Sequence, residues 1–257
     1  MEITKQASNG VVVLKLNRPK VFNSFNRDMA LSLINHLNDL EQDSSVRVIV
    51  LSGEGKAFCA GQDLAEAVDD NGLTLERIID EHYNPVVKKI RTIQKPVIVG
   101  VNGVAAGAGA NIALCGDIVV ASESAIFIQA FSKIGLIPDS GGTFFLPRMV
   151  GFQLASALMM TGDKLTSEEA KSFGLVYKVF EDDKFESGLL SIAKQISEMP
   201  TQALILTKNA LNASLTNDLE NQLEVEKQLQ VKASETNDFK EGVNSFLEKR
   251  KPEFKGN

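Results

Sequence analysis

Apolar and polar positions along this chain follow two periods that take turns. Val11 to Leu16 reads as a strand. Asn26 then offers a helix cap, and Met29, Leu33, Leu37 and Leu40 recur on one helical face. Val48 to Leu51 is apolar without interruption, which predicts a strand covered on both faces. Val97 to Val101 and Ile118 to Val120 repeat that pattern. Strands alternating with helices argue for an α/β fold. After a loop signal at Asp69-Asp70-Asn71-Gly72, Leu75 to Gln94 has helical spacing, and Pro85 is expected to break or kink it. Beyond about residue 150 the strand signals give out. Thr166 and Glu169 make a capping box, and Val176 to Phe180 is the last short strand. Helices are predicted from Pro200 to Leu215, Asn217 to Lys232 and Asp238 to Lys249. No low-complexity segment or clear internal repeat is visible.

Pro96 to Leu114 is apolar enough to suggest a membrane span. Asn102, Asn111 and its glycines favour a buried strand, a tight loop and a buried helix instead. The 257 residues, 44% hydrophobic and 23% charged, suit one large domain or a domain with an appendage. Lys and Arg number 27 against 33 Asp and Glu, a net charge of −6, which gives no electrostatic ground for nucleic acid or an anionic membrane surface. Cys59 and Cys115 are too few for a disulfide framework, and no leader pattern opens the chain, so a cytoplasmic setting is expected.

Three segments carry candidate chemistry. Gly53 to Leu64 follows a strand, and its small residues let main-chain N–H groups approach a ligand, although on its own a plain structural turn is the stronger explanation. It is no Walker A loop, because Ala57 follows Gly55-Lys56 and Val50 stands where the first glycine belongs. Gly103 to Ala110 also follows a strand and opens a helix. Ile112 occupies the third glycine position of a dinucleotide fingerprint, leaving close packing or a helix start aimed at negative charge. Asp139 stands between the apolar Leu136-Ile137-Pro138 and the small Ser140-Gly141-Gly142, as a helix cap, a turn residue or a catalytic base. A serine nucleophile at Ser140 lacks a base: His36 and His82, the two histidines, both read as solvated. No metal pattern appears. The basic run Glu248-Lys249-Arg250-Lys251-Pro252 reads as a solvated helix end able to meet a phosphate.

Taken together, Leu16-Asn17-Arg18-Pro19-Lys20, Lys56 to Leu64, Val101 to Gly107, Gly116-Asp117-Ile118, Gly135 to Pro138 and the ending from Glu241 to Pro252 resemble the crotonase (enoyl-CoA hydratase/isomerase) superfamily, in order along nearly the whole chain. The resemblance implies an α/β, crotonase-like ββα spiral core over residues 1–195 and a C-terminal helical trimerisation region and lid over 196–257. It implies an acyl-CoA thioester substrate, with coenzyme A entering only as part of it and no separate cofactor or metal, and assembly as a homotrimer or dimer of trimers. Two backbone N–H groups, matched to Ala60 and Ala108, would form the oxyanion hole. Residues bordering the substrate would be Arg18, Lys20, Phe22, Gln62, Asp63, Leu64, Asn111, Phe131, Ile137 and Lys249, with Phe131, Leu136 and Ile137 excluding water. The chain departs from the hydratases of that family at the two catalytic glutamates, whose positions hold Asn111 and Phe131. Phe cannot transfer a proton and Asn is a poor acid or base. Asp139 instead matches the carboxylate of an isomerase branch, and Ala130 to Asp139 with Tyr83-Asn84-Pro85 looks particularly like its ring-epoxyphenylacetyl-CoA isomerases. The implied activity is isomerisation of a 3-enoyl-CoA to a 2-enoyl-CoA, or of a ring-epoxide, through an enolate. Hydration with non-standard residues and a non-catalytic acyl-CoA-binding protein are the alternatives.

Overall fold

A computed structural model describes residues 1–68 and 72–257, so Asp69, Asp70 and Asn71 of the expected loop lie outside the described residues. Strands β1 (Ile3–Ser8) and β2 (Val11–Leu16) form an antiparallel hairpin. Helix α1 (Arg27–Gln42) follows, capped as expected by the Asn26 side chain accepting from the Met29 N–H. Three strand pairs come next: β3 (Val48–Gly53) with β4 (Ala57–Cys59), β5 (Val97–Val101) with β6 (Val104–Ala106), and β7 (Ile118–Ser122) with β8 (Ile126–Ile128). The first strand of each pair joins one sheet and the second joins another. The larger sheet has the order β1-β2-β3-β5-β7-β10 and the smaller β4-β6-β8-β9, where β9 is Lys164–Thr166 and β10 is Lys178–Phe180. The repeating unit is therefore strand, strand, helix. Each smaller-sheet strand has only three residues, too short to show a period, which is why no repeat is visible in the sequence.

The helices between strands are α2 (Leu64–Ala67), α3 (Leu75–Ile78), α4 (Asn84–Thr92), α5 (Ala108–Ala113), α6 (Gly142–Val150), α7 (Phe152–Thr161) and α8 (Ser167–Ser172). Pro85 does not break the helical run. A π-turn over Ile79–Tyr83 joins α3 to α4, with the Asn84 N–H reaching the Ile79 carbonyl, so the wider turn accommodates the residue that cannot donate. Pro96 to Leu114 folds as β5, a turn with β6, and α5, and no helix among the described residues is long and apolar enough to cross a membrane.

One apolar core lies between the two sheets and α1, α4 and α5, with Phe25, Phe58, Met29 and Tyr83 among its buried side chains. A second lies on the other face of the larger sheet, where Phe185, Leu189, Ile192 and Ala193 of α9 (Phe185–Ser197) cover Val11, Val48, Val50, Ile98 and Val120. Covering on both faces accounts for the uninterrupted apolar runs of β3 and β5. The division expected between residues 195 and 196 falls inside α9. Three helices follow: α10 (Thr201–Ser214), α11 (Leu219–Ser234) and α12 (Asn237–Glu248). α11 buries none of its residues, and Leu219, Leu223, Val231, Phe246 and Leu247 are exposed apolar side chains on α11 and α12.

Candidate active site

The small glycine and alanine residues singled out in the sequence bring two backbone segments together. After β4 the chain passes through Ala60 and Gly61 to Gln62, which forms a parallel bridge with Phe25. Gly61 C=O accepts from Phe25 N–H at 2.7 Å, and Asp63 N–H donates to Phe25 C=O at 2.9 Å. Those flanking groups face Phe25, so the N–H of Gln62 itself points to the opposite side. Beyond it lies the turn from β6 into α5, where Gly107 (φ 54) precedes Ala108, the first helical residue. The first N–H groups of a helix have no intrahelical acceptor. Gly61 (φ +94) makes the approach possible: a Cβ there would stand 2.9 Å from Ala106 O and 3.7 Å from Ala108 N. Among the described residues, neither the Gln62 nor the Ala108 backbone N–H meets an acceptor.

Ala60 is a correction. Its N–H donates to Phe22 C=O at 3.0 Å, bracing Phe22 in a left-handed conformation (φ 52). The donor left open on this segment is the N–H of Gln62, two residues on.

Asp139 sits on the turn before α6. It is not the helix cap, since Gly141 holds that position without a side-chain bond. Its carbonyl accepts from Gly142 N–H at 2.9 Å and from Asn111 Nδ2 at 2.9 Å. Its half-buried carboxylate accepts from the Ser140 hydroxyl at 2.9 Å. Burial pushes the Asp139 carboxyl above the usual carboxylate range, and the Ser140 hydroxyl offsets part of that push.

Asn111 is fully buried and is a strut rather than a substrate contact. Its Nδ2 holds the Asp139 carbonyl, and its Oδ1 accepts from Gln129 Nε2 at 2.8 Å, which fixes the orientation of the carboxamide. Gln129 Oε1 is buried without a partner. Gly142 leaves room for the strut, since a Cβ there would lie 2.3 Å from Asn111 Nδ2. Phe131 is buried, with its ring edge 3.8 Å from where a Gly107 Cβ would stand, and so packs on the turn that presents Ala108. Leu136 and Ile137 are 41% and 81% exposed. Within one chain, then, Phe131 shields the site and the other two do not.

The expected coenzyme-binding residues divide in the same way. Arg18 is engaged by its own chain: it pairs with Asp63 at 2.7 Å and Glu2 at 3.1 Å and donates to Ser24 C=O at 2.7 Å. Asp63 also caps α2 through Ala65 N–H. Burial raises the Asp63 carboxyl, but Arg18 and that N–H outweigh it and hold it below the usual range. Both residues thus brace the loop. Lys20, Phe22 and Leu64 are exposed along its rim. Lys249 ends α12 in a left-handed conformation (φ 55), and nearby Lys251 pairs with Glu198 at 3.0 Å.

His82 is a further correction: it is buried rather than solvated, with Nε2 3.3 Å from an Arg27 nitrogen and Nδ1 unpartnered. Burial lowers its pKa, so it stays neutral near pH 7. A cavity of about 1110 Å³ lies elsewhere, between the β1–β2 hairpin, α9 and the C-terminal segment, and none of the site residues lines it. Its wall mixes Arg47, Lys194 and Lys251 with Glu186 and Glu198, so no one charge sign converges there.

The chain is similar to known proteins along nearly its whole length. A family model described as enoyl-CoA hydratase/isomerase matches residues 6–257. The chain is 44% identical over 257 residues to "1,2-epoxyphenylacetyl-CoA isomerase" of Escherichia coli, spanning 99% of this chain and 98% of that one. It is 42% identical over 254 residues to "Probable enoyl-CoA hydratase" of Rhodobacter capsulatus, with 99% and 98% covered. It is 37% identical over 259 residues to "Trans-2-decenoyl-[acyl-carrier-protein] isomerase" of Streptococcus mutans, with 99% and 98% covered. The fold superposes on the crystal structure of an enoyl-CoA hydratase from Bacillus anthracis with a TM-score of 0.93, at 33% identity over 100% of both chains.

Proposed function

The chain belongs to the enoyl-CoA hydratase/isomerase family, and from that premise we propose that it isomerises acyl-CoA thioesters with Asp139 as its one acid/base. The ionised carboxylate takes a proton from C2 of a 3-enoyl-CoA. The electron pair moves onto the thioester oxygen, which the N–H groups of Gln62 and Ala108 receive. Protonated Asp139 then returns the proton at C4, giving the conjugated 2-enoyl-CoA. Losing one such donor costs on the order of 10²–10³ in rate. The observation that carries this reading is the pairing of a half-buried carboxylate, pinned through its own carbonyl by Asn111, with the absence of an acid or base at Asn111 and Phe131. A raised carboxyl pKa brings the base closer to the working pH, where proton transfer is most efficient.

The same enolate site suits a ring-epoxide of phenylacetyl-CoA, a reading favoured by the name of the 44%-identical relative. Lys20, Phe22 and Leu64 border the coenzyme along the exposed rim. Residues 1–195 carry the site, and the exposed apolar side chains of 196–257 are covered by copies of the same chain in a homotrimer or a dimer of trimers. The protein works in the cytoplasm.

The test is a paired assay on the purified protein. With 3-hexenoyl-CoA, conjugation is followed; with crotonyl-CoA, hydration. Isomerisation well above hydration is expected. Hydration as the dominant activity would replace this reading with a hydratase that uses non-standard residues, and inactivity on both would leave the ring-epoxide or a non-catalytic binding role.

A further inference from the structure

The proton transfer described above leaves unused a partly buried polar chain behind Gln62. Tyr83 is 1% exposed, and its hydroxyl donates to Gln62 Oε1 at 2.6 Å. Gln62 Nε2 in turn donates to Glu66 Oε2 at 3.1 Å and to Asp63 C=O at 3.2 Å. Glu66 Oε1 accepts from the Arg27 N–H at 2.9 Å, at the start of α1. The Tyr83 ring stacks on Phe25, with centroids 5.7 Å apart and 29° between planes. Phe25 and Gln62 are the two partners of the bridge, so one side chain braces both: its ring holds the first and its hydroxyl the second. Tyr83 is also the last residue of the π-turn, the feature that lets the helix continue into Pro85 and so sets where this side chain enters the core.

Resting on the enolate reading above, we propose that Tyr83 is a positioning residue: through its hydrogen bond to the Gln62 side chain and its stack on Phe25 it holds the Gln62 backbone N–H in the direction the bridge gives it, toward the developing enolate oxygen. A backbone donor stabilises that oxygen only if it is already aimed where the charge appears, because any reorientation during reaction subtracts from the benefit. The bridge bonds to Phe25 turn the Gln62 N–H away from that strand. The Gln62 side chain, bound at both polar ends by Tyr83, Glu66 and the Asp63 carbonyl, steadies the residue from its other side.

A merely structural tyrosine would affect folding and all ligands alike, whereas a positioning role affects the enolate above all. The probe is acetoacetyl-CoA, whose enolate form has its own near-ultraviolet absorption. Y83F keeps the ring stack and removes the hydroxyl. Q62M keeps the backbone N–H and removes the acceptor, so it reaches the same bond from the other end should Y83F fail to fold. Each variant should lower the ratio of bound enolate to bound keto ligand, and kcat on 3-hexenoyl-CoA, by about tenfold, a partial loss of one donor. Affinity for saturated hexanoyl-CoA should stay within about twofold, and the double variant should lose no more than Q62M alone, because that change already removes the bond to Tyr83 along with those to Glu66 and the Asp63 carbonyl. Wild-type enolate ratios in both variants, or an equal loss of hexanoyl-CoA binding, would overturn the proposal. If the wild-type protein forms the enolate but does not isomerise, only the assigned reaction fails and the comparison at Tyr83 still decides. If it forms no enolate, both fall.

Discussion

Replacing Asn111 by Leu keeps the branching and heavy-atom count of a buried side chain and removes both its hydrogen bonds. Two bonds are lost, to the Asp139 carbonyl at 2.9 Å and from Gln129 at 2.8 Å, each contributing about 1 kcal/mol net. Gln129 Oε1 already lacks a partner, so its whole carboxamide would be left buried and unsatisfied, adding about 1–2 kcal/mol. The Asp139 carbonyl keeps the Gly142 N–H and adds little. The sum is about 3–4 kcal/mol, which for a domain of this size lowers the melting temperature by roughly 6–16 °C. Activity should suffer more than stability, because freeing the Asp139 turn lets the base drift, and a displacement of about 1 Å can cost on the order of 100-fold in rate. The pair N111L/Q129L separates the two effects. Leucine at both positions removes the stranded carboxamide, and apolar replacement of both partners of a buried bond is close to neutral. The double variant should therefore regain about half of the lost stability by calorimetry while kcat on 3-hexenoyl-CoA stays low. A double variant less stable than the sum of its singles would refute the coupling. Wild-type kcat in N111L would refute the strut.

Asp139 acts in its ionised form. With its pKa raised by burial, kcat/KM should hold at higher pH and fall as pH drops through a midpoint above the ordinary aspartate range. Ser140→Ala removes the hydroxyl that favours the ionised form, so its pH–rate profile should show that midpoint moved further up; an unmoved midpoint would separate Ser140 from the base. Ala108→Pro deletes one enolate donor at the first helical position, where proline is tolerated and the N–H has no intrahelical acceptor. Steady-state kinetics should show kcat down by about 10²–10³ with the circular dichroism spectrum unchanged, and a wild-type rate would remove Ala108 from the oxyanion hole.

Period and length made most of the fold legible. Strands β2, β3, β5 and β7, helix α1 and the C-terminal helices are long or regular enough to declare themselves. The smaller sheet is not, since its strands span three residues each and gain their meaning only by stacking. Asp139 stood out because an acid between an apolar run and a glycine turn is locally odd. Asn111 and Phe131 were noticed as departures, but the role of Asn111 as a strut depends on Gln129 and Gly142, distant in sequence and adjacent only after folding. The open donor at Gln62 rather than Ala60 has no residue signature in the sequence: whether the Ala60 N–H is open depends on Phe22, 38 positions earlier, whose carbonyl takes it. Arg18, expected to border the substrate, is held by Glu2, Ser24 and Asp63, and Asp63 joins it only after folding. His82 looked solvated among charged neighbours, and the π-turn before Pro85, invisible to a period of 3.6, is what turns it inward.

The central claim is that a single carboxylate moves the proton. Asp139→Asn keeps the shape of the side chain and an acceptor for Ser140 while removing the base. The decisive measurement is the initial rate of 3-hexenoyl-CoA conjugation by purified wild-type and Asp139→Asn protein, with hexanoyl-CoA binding measured on both. The account predicts a loss of at least about 10²–10⁴ in kcat with binding retained. A variant that binds hexanoyl-CoA and still isomerises at the wild-type rate would show that the proton is carried by another group.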